Sequence, residues 1–170
     1  MIKVGEFEKV SFNQFYNGML SIDPEFKESD AMELYEAIEI PVRATTGSAG
    51  HDFKMPFGIT LSPGSSFKIP TGIRVKIDEG WWLGALPRSG LGFKYRLQLD
   101  NTVGVIDSDY YYSDNEGHIF AKITNDSREN KELELKIGDN FMQGIFIPYG
   151  ITYSDNVSKV RNGGFGSTGN

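Results

Sequence analysis

The sequence predicts an all-β fold, an antiparallel sandwich or barrel, with a short helical arm at its N-terminus. Apolar and polar residues alternate in several short runs, as they do along a strand with one buried face. Turn-forming residues separate these runs, and apolar residues at helical spacing occur near the N-terminus. With 170 residues, of which 39% are hydrophobic and 13% aromatic, the chain is long enough for one packed core. We therefore expect residues 1–170 to form a single domain.

Two short helices are expected in the N-terminal arm, residues 1–39. Residues 11–20 carry an apolar face at helical spacing, and a capping-box pattern begins at Ser11. A second N-terminal signal at Asp30 indicates a short helix over Ala31–Ala37. The sequence indicates no function for this arm.

The strands are expected in a core that spans residues 40–160. Alternation is clearest in residues 73–77, 95–99 and 133–137. Turn residues separate the runs at residues 62–64, 78–80, 138–140 and 148–150. This spacing is typical of antiparallel strands in a sandwich or barrel. A flexible tail is expected to follow the core, because residues 161–170 include four glycines.

Composition and charge exclude several classes of protein. The chain has no cysteine, so neither a disulfide framework nor a thiolate metal site can form. Since it has only two histidines, we expect any metal to have oxygen ligands. A net charge of −6 argues against a nucleic-acid groove. No signal-peptide pattern and no run of about 18 apolar residues are present, so we expect a cytoplasmic protein without a membrane partner.

A glycine-flanked segment, residues 87–92, could bind phosphate. Arg88 and Ser89 offer a guanidinium and a hydroxyl group, and the backbone N–H of Gly90 is a further donor. The spacing alone is equally consistent with an ordinary surface turn.

Two further segments could contribute to chemistry. Asp107 follows an apolar pair, so it could end a buried strand and orient a water molecule. The alternative is that Asp107 and Asp109 only solvate a hairpin. In the tail, Phe165 stands between glycines and could stack on a nucleobase or dock on the core. Neither histidine is expected to be catalytic, although the unperturbed pKa of histidine would suit that role.

Five segments, in their order along the chain, resemble the five-motif signature of the trimeric dUTPase family. They are residues 49–53, 87–92, 101–110, 138–143 and 161–170. The resemblance implies a distorted, jelly-roll-like β-barrel, and an enzyme that hydrolyses dUTP to dUMP and pyrophosphate with Mg²⁺. It also implies a homotrimer in which three chains build each pocket. Mg²⁺ would be held by the triphosphate and water rather than by direct protein ligands, with Asp52 supporting those waters and His51 standing where the family usually has Tyr.

The resemblance also implies roles for individual residues. Asp107 would activate the water that attacks the α-phosphorus, Asn101 would hydrogen-bond uracil, and Tyr110 would pack on deoxyribose. The remaining implied substrate-binding residues are Arg88, Ser89, Gly90, Val105, Ile106, Phe120, Gln143, Arg161, Phe165, Gly166, Ser167 and Thr168.

Two features depart from the family pattern. The short turn after Tyr110 is replaced by an insertion, residues 111–116, whose tip we expect to lie outside the pocket. In the tail, Val160 holds the usual position of the family's arginine, which leaves Arg161 or Lys159 to reach the triphosphate.

Two other interpretations stay open. A dCTP deaminase shares the implied fold and phosphate motifs, but it needs a glutamate where this chain has Lys122. A nucleotide-switched regulator would instead bind a protein partner through the arm or the insertion, and it could retain turnover.

Overall fold

The structure, a computed structural model, describes residues 1–159 and residue 161, and its strands form four antiparallel sheets. The strands are β1 (Gly5–Lys9), β2 (Val42–Arg43), β3 (His51–Lys54), β4 (Ile59–Leu61), β5 (Ser66–Pro70), β6 (Ile73–Ile77), β7 (Trp81–Pro87), β8 (Leu97–Leu99), β9 (Gly104–Ile106), β10 (Phe120–Asn125), β11 (Leu133–Leu135) and β12 (Asn140–Pro148). The helices are α1 (Phe12–Leu20), α2 (Glu28–Ala37), α3 (Ser89–Tyr95) and a short 3-10 helix (Ser108–Tyr112). None of these helices is long and apolar enough to cross a membrane.

The sheets have the distorted, jelly-roll-like arrangement of an all-β protein, which confirms the predicted fold class. The largest sheet has the strand order β2-β3-β12-β7-β9, and the others are β5-β10-β8, β11-β4 and β1-β6. Within the described residues these sheets stay separate and do not close into one barrel. β12 is the central strand of the largest sheet, with β3 on one side and β7 on the other.

The predicted alternation is present in β6 and β8, but the predicted ends of two alternating stretches were wrong. Along β6 every second side chain from Ile73 to Ile77 is buried, and Leu97 and Leu99 of β8 are buried around the exposed Gln98. Tyr95 was expected to begin β8, yet it ends α3, because Arg96 takes a left-handed conformation with φ 50° between helix and strand. Ile137, expected in a strand, lies beyond the end of β11 and is 53% exposed.

The N-terminal arm packs into the core. Its first element, β1, was not predicted and pairs with β6. Phe15 and Met19 of α1 are fully buried in the main hydrophobic cluster. The predicted cap of α1 is confirmed, since the Ser11 hydroxyl accepts a hydrogen bond from the backbone N–H of Gln14 at 3.2 Å. The second predicted helix is also present and begins earlier than expected, at Glu28.

The arm is joined to the insertion by polar contacts. The backbone N–H and the hydroxyl of Ser11 donate to the carboxylate of Glu116 at 2.7 and 2.6 Å. The Tyr111 hydroxyl donates to Glu8 at 2.8 Å, and this bond lowers the pKa of Glu8. Arg74 of β6 donates to the same carboxylate at 2.7 Å and lies 4.5 Å from the centre of the Tyr111 ring. The arm and the insertion, which both lie outside the five motifs, therefore contact each other.

His118 is completely buried beneath α1. Its Nε2 accepts a hydrogen bond from the backbone N–H of Gly72 at 2.9 Å, so the proton of the neutral ring belongs on Nδ1, which faces the Gln14 amide at 3.4 Å. Burial, aided by the charge of Lys68, lowers the pKa of His118 to about 3. The approach of α1 is close, because a Cβ at Gly18 would lie 2.9 Å from His118 Cε1.

A buried neutral histidine predicts a pH dependence of stability. The pKa of His118 falls from an ordinary 6.5 to about 3 on folding, so below pH 6.5 the unfolded chain takes up a proton that the folded chain refuses. The contribution of His118 to stability is therefore fully present above pH 6.5 and is lost as the pH falls from 6.5 toward 3. Between pH 6.5 and 5 this one group should lower the free energy of unfolding by up to about 2 kcal/mol.

Urea unfolding of the wild type and of His118→Gln, measured at several pH values, isolates this contribution. A Gln side chain keeps an acceptor for Gly72 but does not titrate, so the wild type should lose more stability than the variant over this pH range. All other titrating groups, including His51, are common to both chains and cancel in the comparison. Equal losses would contradict the assignment of His118 as a buried neutral residue.

Candidate active site

Asp107 lies where an edge strand of the largest sheet ends. β9 pairs with β7, and Asp107 follows β9 directly and precedes the 3-10 helix. Its side chain is 48% exposed and lines a cleft of about 550 Å³ together with Glu79 and Asp109. A carboxylate in this position can accept a hydrogen bond from a water molecule in the cleft.

Arg161 contacts both acids of this segment. Its Nη2 donates to Asp107 at 2.5 Å and its Nε donates to Asp109 at 2.9 Å. The guanidinium also lies 5.8 Å from the centre of the Tyr110 ring. Of the two cations considered for the tail, Arg161 is thus the one placed at the carboxylates, whereas Lys159 is exposed.

Tyr110 is buried, and two hydrogen bonds fix its hydroxyl. The hydroxyl donates to the backbone carbonyl of His118 at 2.8 Å and accepts from the side-chain amide of Asn115 at 2.8 Å. Burial raises the pKa of Tyr110. The ring is therefore a neutral, fixed surface beside the Asp107 segment.

Asn101 lies in the turn between β8 and β9. With Gly104, Ile106 and Phe120 it lines a narrow slot whose other walls are apolar. The turn is strained, since Thr102 has φ 66°, a conformation that a β-branched residue rarely adopts. An exposed amide over an apolar slot can exchange hydrogen bonds with the edge of a flat heterocycle.

The two predicted substrate-binding residues of β9 differ in burial. The side chain of Val105 is 52% exposed, whereas Ile106 is 2% exposed and forms part of the slot wall. A second, wider cleft of about 640 Å³ adjoins the slot and shares Asn101 and Phe120 with it. Its remaining lining residues are Lys68, Asp100, Asn115 and Lys122.

A second group of predicted residues lies around Asp52 on β3. Arg88 Nε is 3.3 Å from Asp52 Oδ1, and the Gln143 amide donates to the backbone carbonyl of Pro87 at 3.3 Å. The antiparallel register places Gln143 directly opposite Asp52. Gly50 leaves the space for this amide, because a Cβ there would collide with Gln143 Oε1.

The segment with Arg88, Ser89 and Gly90 is not the surface turn that its spacing allowed. It begins the seven-residue helix α3, with Arg88 at the N-cap position. Ser89 and Gly90 are exposed, and the first backbone N–H groups of a helix have no acceptor within the helix. Two of its seven residues are glycine, which lowers helix propensity, so the sequence did not predict a helix here.

His51, which replaces the family's Tyr, lies on the core face of β3. Its ring centre is 5.3 Å from that of Phe7 and 5.5 Å from that of Phe146. Burial lowers the pKa of His51, although a hydrogen bond to the Gly144 carbonyl opposes this effect. The side chain thus packs against the arm and β12.

Asn140 is a residue of this group that sequence reasoning missed. Its amide nitrogen donates to Asp52 Oδ2 at 3.4 Å, while its Oδ1 is buried and has no hydrogen-bond partner. The only signal in the sequence was its place in the fourth motif. An unpaired buried acceptor beside a carboxylate is suited to the O–H groups of a hydrated cation, so these residues fit a Mg²⁺ ion bound through water. Among the described residues no three His, Cys, Asp or Glu side chains converge on a metal site.

Asn115, in the insertion, was also missed. The tip of the insertion is expected to lie outside the pocket, and the structure places the side chain of Asn115 at the wider cleft and in contact with Tyr110. The insertion has no counterpart among the five motifs, so no pattern in the sequence could have indicated this contact.

The predicted site residues form two groups within one chain. Asp107, Tyr110 and Arg161 lie together, with Asn101 nearby at the other end of β9. The Asp52 group lies on strands β3, β7 and β12, and across residues 1–159 and 161 no hydrogen bond or ion pair joins it to the Asp107 group. Four further predicted residues lie outside the described part of the chain: Phe165, Gly166, Ser167 and Thr168.

Comparisons with known proteins place the chain in a family. The dUTPase family profile matches residues 36–169. The deoxyuridine 5'-triphosphate nucleotidohydrolase of Lactococcus lactis is 40% identical over 135 residues, which is 78% of this chain and 89% of the relative. The corresponding protein of Aeromonas salmonicida is 37% identical over 138 residues, covering 76% of this chain and 86% of the relative.

Solved structures show the same fold. The dUTPase of Streptococcus mutans superposes with a TM-score of 0.63 at 31% identity, over 86% of this chain and 97% of its own. A dUTPase from phage phi11 of S. aureus, described with a structural Mg(II) ion, gives 0.64 at 18% identity over 92% and 98%. The dUTPase of Staphylococcus bacteriophage 80alpha, described as controlling the transfer of virulence genes, gives 0.64 at 17% identity over 93% and 90%.

The profile match spans most of the chain, and the alignments with the two bacterial relatives cover 89% and 86% of those proteins at 40% and 37% identity. The chain therefore belongs to the dUTPase family, the deoxyuridine 5'-triphosphate nucleotidohydrolases.

Proposed function

We propose that this chain hydrolyses dUTP to dUMP and pyrophosphate, with Asp107 orienting the attacking water. The observation that carries the proposal is the position of Asp107. It lies half-exposed at the end of β9 and lines a wide cleft, and its backbone carbonyl accepts a hydrogen bond from the N–H of Tyr110 at 3.2 Å. The water oxygen bonds to the α-phosphorus, its proton passes to Asp107, and the bond to the β-phosphate oxygen breaks.

The other predicted residues bind and orient the substrate in this proposal. The Asn101 amide reads the edge of uracil where the slot opens into the wider cleft, because the slot itself, of about 10 Å³, has room for about one water molecule. Tyr110 packs against deoxyribose. Arg88, Ser89, Gly90 and Gln143 hold the phosphates of the leaving pyrophosphate. A bound Mg²⁺ would neutralise charge on the triphosphate, and Asp52 with Asn140 would accept hydrogen bonds from its waters.

The architecture supports a homotrimer. The Asp52 group and the Asp107 group make no direct polar contact with each other within the described chain, although the mechanism needs both on one triphosphate. Association of copies can bring the Asp52 group of one chain to the Asp107 group of another. Oligomers of this kind are usually closed rings with rotational symmetry.

Deamination of dCTP is less compatible with the site. Lys122 Nζ is 2.8 Å from Asp100, so the position where a deaminase needs a glutamate holds an ammonium group paired with an acid. An ammonium cannot take a proton from water.

A regulatory function has weaker support. The description of the 80alpha protein comes from a relative whose identity of 17% carries the fold alone. In this chain the arm and the insertion, the two segments considered for partner binding, are engaged with each other through Ser11 and Glu116 and through Glu8 and Tyr111. We therefore favour hydrolysis as the function.

A substrate panel tests the proposed activity. Pyrophosphate release should be rapid with dUTP and Mg²⁺, and much slower with dCTP, dTTP or UTP, because the slot and the Tyr110 ring select the base and the sugar. Omission of Mg²⁺ with EDTA should lower the rate with dUTP. Release of ammonia from dCTP, or equal rates with all four nucleotides, would contradict the proposal.

Asp107→Asn tests the role of the carboxylate. The amide keeps the size and one acceptor oxygen but cannot take a proton, so kcat should fall by about 100-fold or more. Because the residue does not hold the base, binding of a non-hydrolysable dUTP analogue by calorimetry should stay within a few-fold. Asp109→Asn is a matched control that also contacts Arg161, and it should lose far less turnover. Near-normal kcat in Asp107→Asn would refute the assignment.

The oligomeric state is checked by sedimentation equilibrium. The protein should sediment at three times the chain mass of 19.0 kDa. Mixing Asp107→Asn chains with chains that carry Arg88→Ala should restore turnover when trimers exchange subunits, since some pockets then combine two intact groups. A monomer with full activity would contradict the shared pocket.

A further inference from the structure

Tyr110 and Asn115 are joined in a compact turn that the insertion creates. The Asn115 amide nitrogen donates to the Tyr110 hydroxyl at 2.8 Å. The Ser113 hydroxyl lies 2.8 Å from Asn115 Oδ1 and 2.6 Å from the Tyr110 carbonyl. Because the Tyr110 hydroxyl gives its one proton to the His118 carbonyl, it can only accept from Asn115, and this directs the amide nitrogen at Tyr110. The amide oxygen of Asn115 then faces the Ser113 hydroxyl.

The backbone holds this turn in one conformation. The N–H of His118 donates to the Asn115 carbonyl at 3.0 Å, and the N–H of Glu116 donates to the Ser113 carbonyl at 2.8 Å. Glu116 and Gly117 both have positive φ, 58° and 69°. A Cβ at Gly117 would lie 2.9 Å from the Tyr110 carbonyl oxygen, so the turn passes too close to Tyr110 for any other residue.

The same asparagine reaches the ligand side. Asn115 lines the wider cleft with Asn101 and Phe120, and those two residues also line the slot at whose mouth uracil is proposed to bind. Asn115 is therefore placed between the ring proposed to face the sugar and the amide proposed to read the base.

We propose that Asn115 is a positioning residue that holds the Tyr110 ring against the sugar and so sharpens the preference for deoxyribose over ribose. The inference rests on the proposed function, in which Tyr110 packs on the deoxyribose ring. With both hydrogen bonds in place, the ring cannot move aside to make room for a 2′-hydroxyl group. Without the Asn115 bond the hydroxyl is held less firmly, although it still donates to the His118 carbonyl, and UTP fits more readily.

The experiment measures kcat/KM for dUTP and for UTP in the wild type and in Asn115→Ala. Alanine removes the amide that donates to Tyr110 and puts no acceptor in its place, whereas an aspartate could accept from the Tyr110 hydroxyl and still hold it. The ratio of the two kcat/KM values should fall by about three- to tenfold, the loss expected for one neutral hydrogen bond. The matched control is Asp114→Ala, the same truncation at the exposed neighbouring residue, and it should keep the wild-type ratio.

A second variant pair separates positioning from general damage. Tyr110→Phe removes the hydroxyl that Asn115 contacts, so adding Asn115→Ala to it should change the ratio no further. Equal loss of both substrates in the Asn115 variants, with the ratio unchanged, would overturn the inference and leave the proposed function intact. Additive effects of the two substitutions would overturn it as well. Absence of dUTP turnover in the wild type would overturn the proposed function and this inference together.

Discussion

The pairing of β12 with two neighbours is the constraint on which the rest of the site depends. β12 holds β3, which carries Asp52, on one side and β7, which leads to Arg88, on the other. β7 then pairs with β9, the strand that ends at Asp107. At Gly144 the sheet leaves no room for a side chain, since a Cβ there would lie 3.0 Å from side-chain atoms of both Leu83 and Phe53. Backbone hydrogen bonds thus set the spacing of the proposed catalytic and binding groups, which are far apart in sequence.

The arm is stabilised mainly by apolar burial, and its polar contacts with the insertion fix the relative position of the two segments. Phe15 and Met19 are fully buried, and each contributes on the order of 1.5–3 kcal/mol. The pair of Glu8 and Arg74 has side chains 35% and 26% exposed, and partly exposed pairs contribute about 1 kcal/mol or less. The contacts of Ser11 with Glu116 therefore matter more for the geometry of the turn beside Tyr110 than for stability.

What could be predicted from the sequence was local. The alternation in β6 and the cap at Ser11 depend on neighbouring residues, so both were recognised and are present. β1 was missed because Phe7 is its only large apolar residue, and its strand conformation comes from pairing with β6. The roles of Asn115 and Asn140 depend on partners that only the fold brings near, Asn140 meeting Asp52 from 88 positions away. The motif order identified the family's residues but not the contacts that orient them.

In this acidic chain, the arginines of the proposed site can neutralise little of the charge of a triphosphate. The net charge is −6, and the two arginines of the site are already paired with acids, Arg88 with Asp52 and Arg161 with Asp107 and Asp109. Paired guanidinium groups offset little of the charge on a triphosphate, so the remaining neutralisation must come from backbone N–H groups and from a bound divalent cation. Arg161 is only 15% exposed between its two carboxylates, and its bond to Asp107 occupies an oxygen that the proposed mechanism needs. In the proposed mechanism, substrate phosphates that bind Arg161 would compete with Asp107 for this guanidinium. That competition would couple the arrival of the triphosphate to the release of the carboxylate proposed to orient the water.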